Sequence, residues 1–477
     1  MNVLAIDQGT SSTKALVVSG QHGVLAEAEV PVHPHATPDG GVEQDPEELW
    51  ASILEAARRA LAQAGQDLQA VGFANQGETV LAWEPGTGAP LSTAVSWQDG
   101  RAAVVCERLA PHAEELRAIT GLPLDPYFSA PKIAWLRERG VEGGVVTTTD
   151  AWLLHRMTGR AVTDAATASR TLLLDLDRVA WSERACALFG VDPAALPEIV
   201  PCAGPVGATT AFGDRPLQVA GLAVDQQAAL FAQACLATGE AKCTYGTGAF
   251  LLASVGERAV RSRSGLVGCV AWRLDGRTTY CLDGQVFTVG SALSWLRRVG
   301  LIEGPEDLDR LGGAVPSAEG AAFVPGLAGL GAPFWRPQAR GAFTGLSLGT
   351  ERTHLVRAFL EGVAASVAWL ARAVGEDLGS PLARLRVDGG LTRSRVLLQL
   401  QADLLQVPVE VYPSPHATAL GVAALTRLGM GWARDPGDAT GGWEPAAIFD
   451  PRVPATQADE RLAAWRAVVE ATMDLPA

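Results

Sequence analysis

"VLAIDQGTSSTKALVV", residues 3–18, starts as a short apolar run, breaks at an aspartate and a glycine, and then sets out a row of four hydroxyls and a lysine. Val3 to Ile6 has the β-branched, apolar make-up of a strand. Asp7-Gln8-Gly9 reads as a turn, because glycine tolerates positive φ and aspartate hydrogen-bonds to nearby backbone. Strand character resumes from Thr13 to Val18. The stretch therefore predicts a β-hairpin whose tip carries backbone N–H groups, the hydroxyls of Thr10, Ser11 and Ser12, and the Lys14 ammonium. Two readings of that tip stand: an ordinary hairpin with a polar end, or a cradle for a phosphate chain.

Outward from the hairpin, strand-like and helix-like segments alternate, which is the pattern of an α/β protein. In "QDPEELWASILEAARRALAQAG" (44–65), Asp45 is a good N-cap, Pro46 takes the first helical position, and Glu48 completes a capping box. Leu49, Ile53, Ala57 and Leu61 form one apolar stripe that ends at Gly65. "AVGFANQG" (70–77) reads as a buried strand entering a polar loop, and further helices are expected at 351–375, 393–406 and 416–429. A duplication is hinted at. "LAIDQGTSS" (4–12) and "LRVDGGLTRS" (385–394) share an apolar strand, an aspartate, a glycine turn and hydroxyls, and "KCTYGTGAFLLASVG" (242–256) is a further strand–turn–strand. Asp-Gly turns are common, so the alternative is two unrelated turns. At 477 residues the chain exceeds what one core usually holds. Two domains, 1–235 and 236–477, are expected.

Composition narrows the function classes. Thirty-eight basic against 52 acidic residues give a net charge of −14, spread along the chain. That argues against a nucleic-acid partner, which needs a basic face. The seven cysteines (106, 186, 202, 235, 243, 269, 281) include no C-x-x-C pair, so neither a disulfide framework nor a zinc site is expected, and a reducing cytoplasm is the simplest home. The strand at Val3 leaves no room ahead of it for a leader, and no run of about twenty apolar residues suggests a membrane span.

Seven segments, in order and at the expected spacing, resemble the FGGY carbohydrate kinases: "AIDQGTSSTKA", "NQGET", "SWQDGRA", "GLPLDPYFSAPKIAWL", "VDQQAALF", "KCTYGTGAFLL" and "LRVDGGLTRS". "YFSAPKIAWLRE" (127–138) and "GAFTGLSLGTERTHLVRAFLE" (341–361) resemble the two long signatures of that family. The runs "TGLPLDPYFSAPK", "DQQAALF" and "TYGTG" are most similar to its glycerol kinase branch, and the resemblance covers residues 1 to about 430. It implies two ribonuclease-H-like α/β domains of the actin/hexokinase type around a cleft. The first would carry the acceptor pocket and a phosphate hairpin, and the second would bind nucleotide.

The resemblance also implies roles. Thr10, Ser11, Ser12 and Lys14 would hold ATP phosphates, where the glycerol kinase branch has arginine in place of Lys14. Thr247 and Gly248 would face the β- and γ-phosphates, with Gly290, Ser294, Gly390 and Ser394 nearer the nucleoside. Asp225 would accept the proton of the substrate hydroxyl, and Asp7 would hold Mg²⁺ mostly through waters. Gln76, Glu78, Tyr127, Asp225 and Gln226 would hydrogen-bond the acceptor between the apolar walls Trp97 and Phe250. For each residue a plainer reading exists: a turn for the glycines, a helix N-cap for an isolated Asp225, a solvated helix face for Ser294.

One position departs from the branch. Where it reads Asn-Gln-Arg-Glu, this chain reads Asn75-Gln76-Gly77-Glu78. Losing that arginine is expected to open volume and leave Glu78 without a nearby cation, favouring a longer polyol or a ketopentose over glycerol. The leading expectation is an ATP- and Mg²⁺-dependent kinase of a small polyol or sugar. An actin- or chaperone-like conformational ATPase shares the fold but has no reason to keep "NQGE", "SWQD" and "VDQQ", and a non-catalytic regulator would not need both Asp7 and Asp225. The segment "GATTAFGDRPLQVAG" (207–221) is shorter than the branch's sugar-bisphosphate loop and lacks its glycine run, so no such effector is expected. A homo-oligomer stays open.

Overall fold

Residues 2–19 form a hairpin, but Asp7 and Gln8, read as part of its turn, are the last paired residues of the first strand. The turn is residues 9–11, closed by the Gly9 N–H donating to the Ser12 carbonyl. In the computed structural model, which describes residues 1–20, 23–64 and 68–473, β1 (Asn2–Gln8) pairs antiparallel with β2 (Ser12–Ser19), and Asp7 stands opposite Lys14. A third strand, β3 (Gly23–Pro31), pairs antiparallel with β2. On the other side of β1 lies β4 (Ala70–Asn75), parallel to it, and beyond that come β6 (Leu217–Val224), also parallel, and β5 (Ala203–Thr209), antiparallel. The order is β5-β6-β4-β1-β2-β3. Val3 to Ile6 are buried to within 2%. This central strand is covered on both faces, which is why its sequence is continuously apolar instead of alternating.

The second sheet repeats this plan. β7 (Ala241–Tyr245) and β8 (Ala249–Gly256) form a hairpin, β9 (Val267–Leu274) and β10 (Arg277–Val286) extend it, and β11 (Leu385–Asp388), β12 (Val409–Val411) and β13 (Ala447–Phe449) complete the order β9-β10-β8-β7-β11-β12-β13. β7, β11 and β12 run parallel, as β1, β4 and β6 do, and β13 is an antiparallel edge like β5. The duplication is real, but its register differs from the sequence expectation. The counterpart of β1 is β7, whereas "LRVD" in β11 corresponds to β4 of the first half. The two aspartate-ending strands look alike because both are buried parallel strands that stop at the cleft and turn at glycine.

Helices fill the connections. α1 (Pro46–Ala64), α2 (Ser129–Glu138), α3 (Ala165–Ala168) and α4 (Asp225–Ala232) belong to the first half. α5 (Gly290–Arg298), α6 (Arg352–Leu378), α7 (Arg395–Leu405) and α8 (Ala417–Gly429) follow, the last three where the sequence placed helices. The α1 stripe Leu49, Ile53, Ala57 and Leu61 is buried, and Asp45 accepts the Glu47 N–H at 2.9 Å. The expected end at Gly65 lies outside the described residues. The capping box expected of Glu48 is not made, because the end of β3 brings His33 alongside. Glu48 accepts from the His33 backbone N–H and lies 2.6 Å from His33 Nδ1. By length and composition α6 is apolar enough to cross a membrane, yet its apolar residues sit in the second core.

Two features position the cleft. α8 lies in sequence between β12 and β13 of the second sheet but packs on β1, β4, β6 and α4 of the first. The approach is so close that a Cβ at Gly421 would lie 1.9 Å from the Ala228 carbonyl oxygen, so only glycine fits. At the cleft floor, α3 packs on β9, and Ala166, Leu172 and Phe231 share a core with Cys269, Ala271 and Trp272.

Candidate active site

The β1–β2 turn, the loop after β4, the start of α4 and the β7–β8 tip converge on one cavity of about 240 Å³. Its lining includes Asp7, Thr10, Ser11, Ser12, Lys14, Gln76, Glu78, Trp97, Tyr127, Asp225, Gln226, Thr247 and Phe250, all named above from sequence. Gly248, Gly290, Ser294, Gly390 and Ser394 are not among the lining residues. Gly248 and Gly290 shape the tip instead. A Cβ on Gly248 would meet the Val286 carbonyl oxygen at 2.5 Å, and one on Gly290 the Gly246 oxygen at 2.4 Å. The start of α5 is thereby clamped to the hairpin, with the Gly290 N–H donating to Gly246 and the Ser291 N–H to Thr247. Ser294 Oγ donates to the Gly290 carbonyl. Gly390 opens a short turn after β11, with no atom within 4 Å of a would-be Cβ. Ser394 caps α7 through the Leu397 N–H and donates to Asp309 at 2.5 Å.

Two carboxylates face the cavity from the ends of central strands. Asp7 is pushed up to about 6 by burial, partly countered by the Lys14 charge. Asp225 is the first residue of α4, directly after β6, and its Oδ1 accepts the Gln226 N–H at 2.7 Å. Burial, then the Asp7 charge, raises it to about 6 as well, against the pull of Lys242. The neighbouring Gln226 side chain is fixed by a polar chain crossing between the halves. Lys242 Nζ donates to Gln226 Oε1 at 2.5 Å and to Thr244 Oγ1 at 2.9 Å, and Thr244 donates to Asp388 at 2.6 Å. Lys242 is fully buried. The sequence carried its signal, a lysine inside the apolar strand "AKCTY", but no role was read from it.

At the other end, an aromatic wall assembles edge to face: Trp97 stands 5.7 Å from Tyr127 and 6.3 Å from Phe250. The Trp97 indole N–H donates to Thr10 Oγ1 at 2.8 Å, tying this wall to the phosphate-type hairpin. Tyr127 is held by Lys132, whose buried ammonium donates to the carbonyls of Pro126, Tyr127 and Phe128 at 2.6–2.9 Å. Burial lowers Lys132 to about 8. Gln76 donates to Gln44 at 2.8 Å, and Ser12 to Glu29 at 2.6 Å.

The expectation that Glu78 lacks a cation is wrong. Arg170, in the turn after α3, donates through Nε to Glu78 Oε1 at 2.6 Å and through Nη1 to Asp283 Oδ2 at 2.5 Å. All three side chains are at most 5% exposed. Gly77 itself lines the cavity, and among the described residues the one atom that a Cβ there would meet within 4 Å is Val224 Cγ2, at 3.0 Å. Sequence reasoning missed Arg170 because it lies 92 positions from Glu78 in the chain. The buried Glu78 carboxyl is nevertheless held above its ordinary range by desolvation, which the Arg170 charge only partly offsets.

Comparison with known proteins agrees with this geometry. Residues 2–232 match the N-terminal domain of the FGGY family of carbohydrate kinases, and residues 241–430 its C-terminal domain. The chain is 45% identical to a glycerol kinase of Thermus brockianus and 43% identical to one of Aromatoleum aromaticum, covering 98% of each protein and of itself. It also resembles the crystal structure of Plasmodium falciparum glycerol kinase with ADP, with a TM-score of 0.91 at 29% identity, covering 100% of this chain and 99% of that one. A xylulose kinase from Rhodospirillum rubrum follows with a TM-score of 0.87 at 27% identity, covering 99% of both chains. A cleft that joins a phosphate-type hairpin to a carboxylate and an aromatic wall, on a duplicated α/β frame matched from end to end, leaves one assignment: the chain belongs to the FGGY family of carbohydrate kinases, enzymes that phosphorylate a substrate hydroxyl with ATP.

Proposed function

We propose that the enzyme transfers the γ-phosphoryl group of ATP to a primary hydroxyl of glycerol. The observation that carries this reading is that Asp225, Glu78, the Trp97–Phe250 wall and the 9–14 stretch line a single cavity of about 240 Å³. Phosphoryl transfer asks the protein for alignment, charge neutralisation and a group to take the hydroxyl proton. Asp225 takes that proton, and its raised affinity for it suits a base working near neutral pH. Glu78, Tyr127 and Gln226 bind the acceptor hydroxyls while Trp97 and Phe250 flank the carbon chain, with Gln76 supporting the loop. Thr10, Ser11, Ser12, Lys14, Thr247 and Gly248 hold the phosphates. Gly290, Ser294, Gly390 and Ser394 flank the nucleoside.

Mg²⁺ fits the donor set. Asp7 and Asp225 are two half-buried carboxylates close enough that the charge of Asp7 raises Asp225, and two oxygens with waters and phosphates suit an ion that dehydrates reluctantly. When bound, it neutralises charge on the β- and γ-phosphates. The seven thiols are free and buried, which supports assigning the enzyme to a reducing cytoplasm.

Glycerol is favoured over a longer acceptor because Glu78 keeps a guanidinium partner in Arg170 although position 77 is glycine. The names of the relatives above support the same choice. A coupled ADP-release assay over glycerol, erythritol, xylitol and D-xylulose tests it. Glycerol should lead in kcat/KM by at least about tenfold. A longer polyol or ketopentose in first place would replace this acceptor and leave the kinase assignment intact.

A further inference from the structure

Arg170 is the most heavily engaged side chain of the cavity, and no motif read from sequence includes it. The residue is 3% exposed and lines the cavity beside Glu78 and Tyr127. Nε donates to Glu78, Nη1 to Asp283 and, at 3.7 Å, to Cys269 Sγ. Nη2 has only a 3.5 Å contact to the Tyr127 hydroxyl among the described residues, so this edge keeps donor capacity toward the cavity. The ring faces of Tyr127 and Phe128 lie 5.7 and 5.6 Å from the guanidinium carbon and fix its plane. Glu78 and Arg170 belong to the first half, whereas Asp283 lies on β10 of the second. Asp283 is itself anchored, accepting from Gln285 Nε2 at 2.6 Å.

We propose that Arg170 is the positioning residue that sets acceptor affinity and preference, holding Glu78 and the Tyr127 hydroxyl toward the substrate while Asp283 of the other half, also in the cavity lining, fixes its guanidinium. Two buried carboxylates in one place need a shared donor to hold them, and a planar fork is the group that bridges two of them. The acceptor end of the cavity is therefore built from both halves. Closing the cleft on nucleotide and ordering the acceptor pocket then share one buried ion pair. This inference rests on the reading that the cavity beside Asp225 takes the acceptor.

Steady-state kinetics of wild type, Arg170→Met, Arg170→Lys and Asp283→Asn test it, varying glycerol at saturating MgATP and MgATP at saturating glycerol. A wild type inactive on glycerol overturns the acceptor reading alone, and the comparison is then made with D-xylulose. Arg170→Met should raise the acceptor KM by about 30- to 100-fold, the scale of one or two charge-assisted hydrogen bonds. The ATP KM should stay within about threefold and kcat should fall far less than the acceptor KM rises. Arg170→Lys keeps the charge without the fork and should recover part of the loss. Asp283→Asn should raise the acceptor KM in the same direction by a smaller factor. Removing one member of a buried pair strains folding. Should Arg170→Met fail to fold, Arg170→Lys is read on the same criterion, with an expected rise of about tenfold. An acceptor KM within threefold of wild type in a folded variant, or acceptor and ATP KM rising in parallel, overturns the proposal.

Discussion

In the proposed reaction Asp225 takes the proton of the substrate hydroxyl, and its surroundings suit it to that role. The carboxyl sits at the start of α4, where burial and then the charge of Asp7 raise it to about 6, while burial raises Asp7 to about 6 against the Lys14 charge. Asp225→Asn should lower turnover by about 10²- to 10⁴-fold while ATP binding, read by calorimetry, persists. Near-normal turnover would exclude Asp225 as the proton acceptor. The sign of the pH effect follows from the raised values. Below about 6 the base is protonated and idle, so kcat/KM should fall as pH drops through that region, and the limb reports the Asp7–Asp225 pair. Asp7→Asn removes one cause of the rise and should move the limb of the residual activity to lower pH. A limb unmoved, or absent down to pH 5, would contradict the coupling. Much of this site was legible because its members lie in short local motifs, as Asp7 to Lys14 and Asp225-Gln226 do. Arg170, Lys242 and Asp283 were not. Each acts on a partner brought near only by tertiary packing, Arg170 reaching Asp283 across 113 positions, and the glycine at 77 pointed toward a missing cation that the fold supplies from elsewhere.

Among the elements, the expected helices formed where periodicity put them. The opening hairpin formed with its turn two residues later than Asp7, whose strand pairing with Lys14 the local turn chemistry hid. Register between the halves was harder to read. Apolar strands ending in aspartate and glycine resemble each other whatever their place in the sheet, so "LRVDGG" was matched to β1 when its parallel neighbour β7 makes it the counterpart of β4. The path of α8 was equally hidden. Its small face, with Gly421 against the Ala228 carbonyl, holds α4 and thus Asp225 in place. Gly421→Ala should therefore cost about 2–3 kcal/mol of stability, the range of an overpacked contact that must move backbone. Denaturant unfolding measures it, together with kcat, which should fall as α4 shifts. A variant with unchanged midpoint and unchanged kcat would show that the contact relaxes freely and does not position the base.

The whole molecule works as two sheets around a cleft, with phosphate-type hairpins on both and a buried ion pair at the floor. Catalysis should need the halves to close and exclude water. Small-angle scattering should show a smaller radius of gyration with glycerol and a non-hydrolysable ATP analogue together than with neither. An unchanged radius under saturation would count against closure. The central claim is that this cleft passes phosphate from ATP to a hydroxyl of a small polyol instead of to water. Phosphorus NMR of the purified enzyme with MgATP and glycerol tests it most directly. The account predicts one phosphomonoester resonance growing for each ADP formed, with no ADP release when glycerol is left out. ADP accumulating with inorganic phosphate, at a rate indifferent to glycerol or any other polyol, would contradict it.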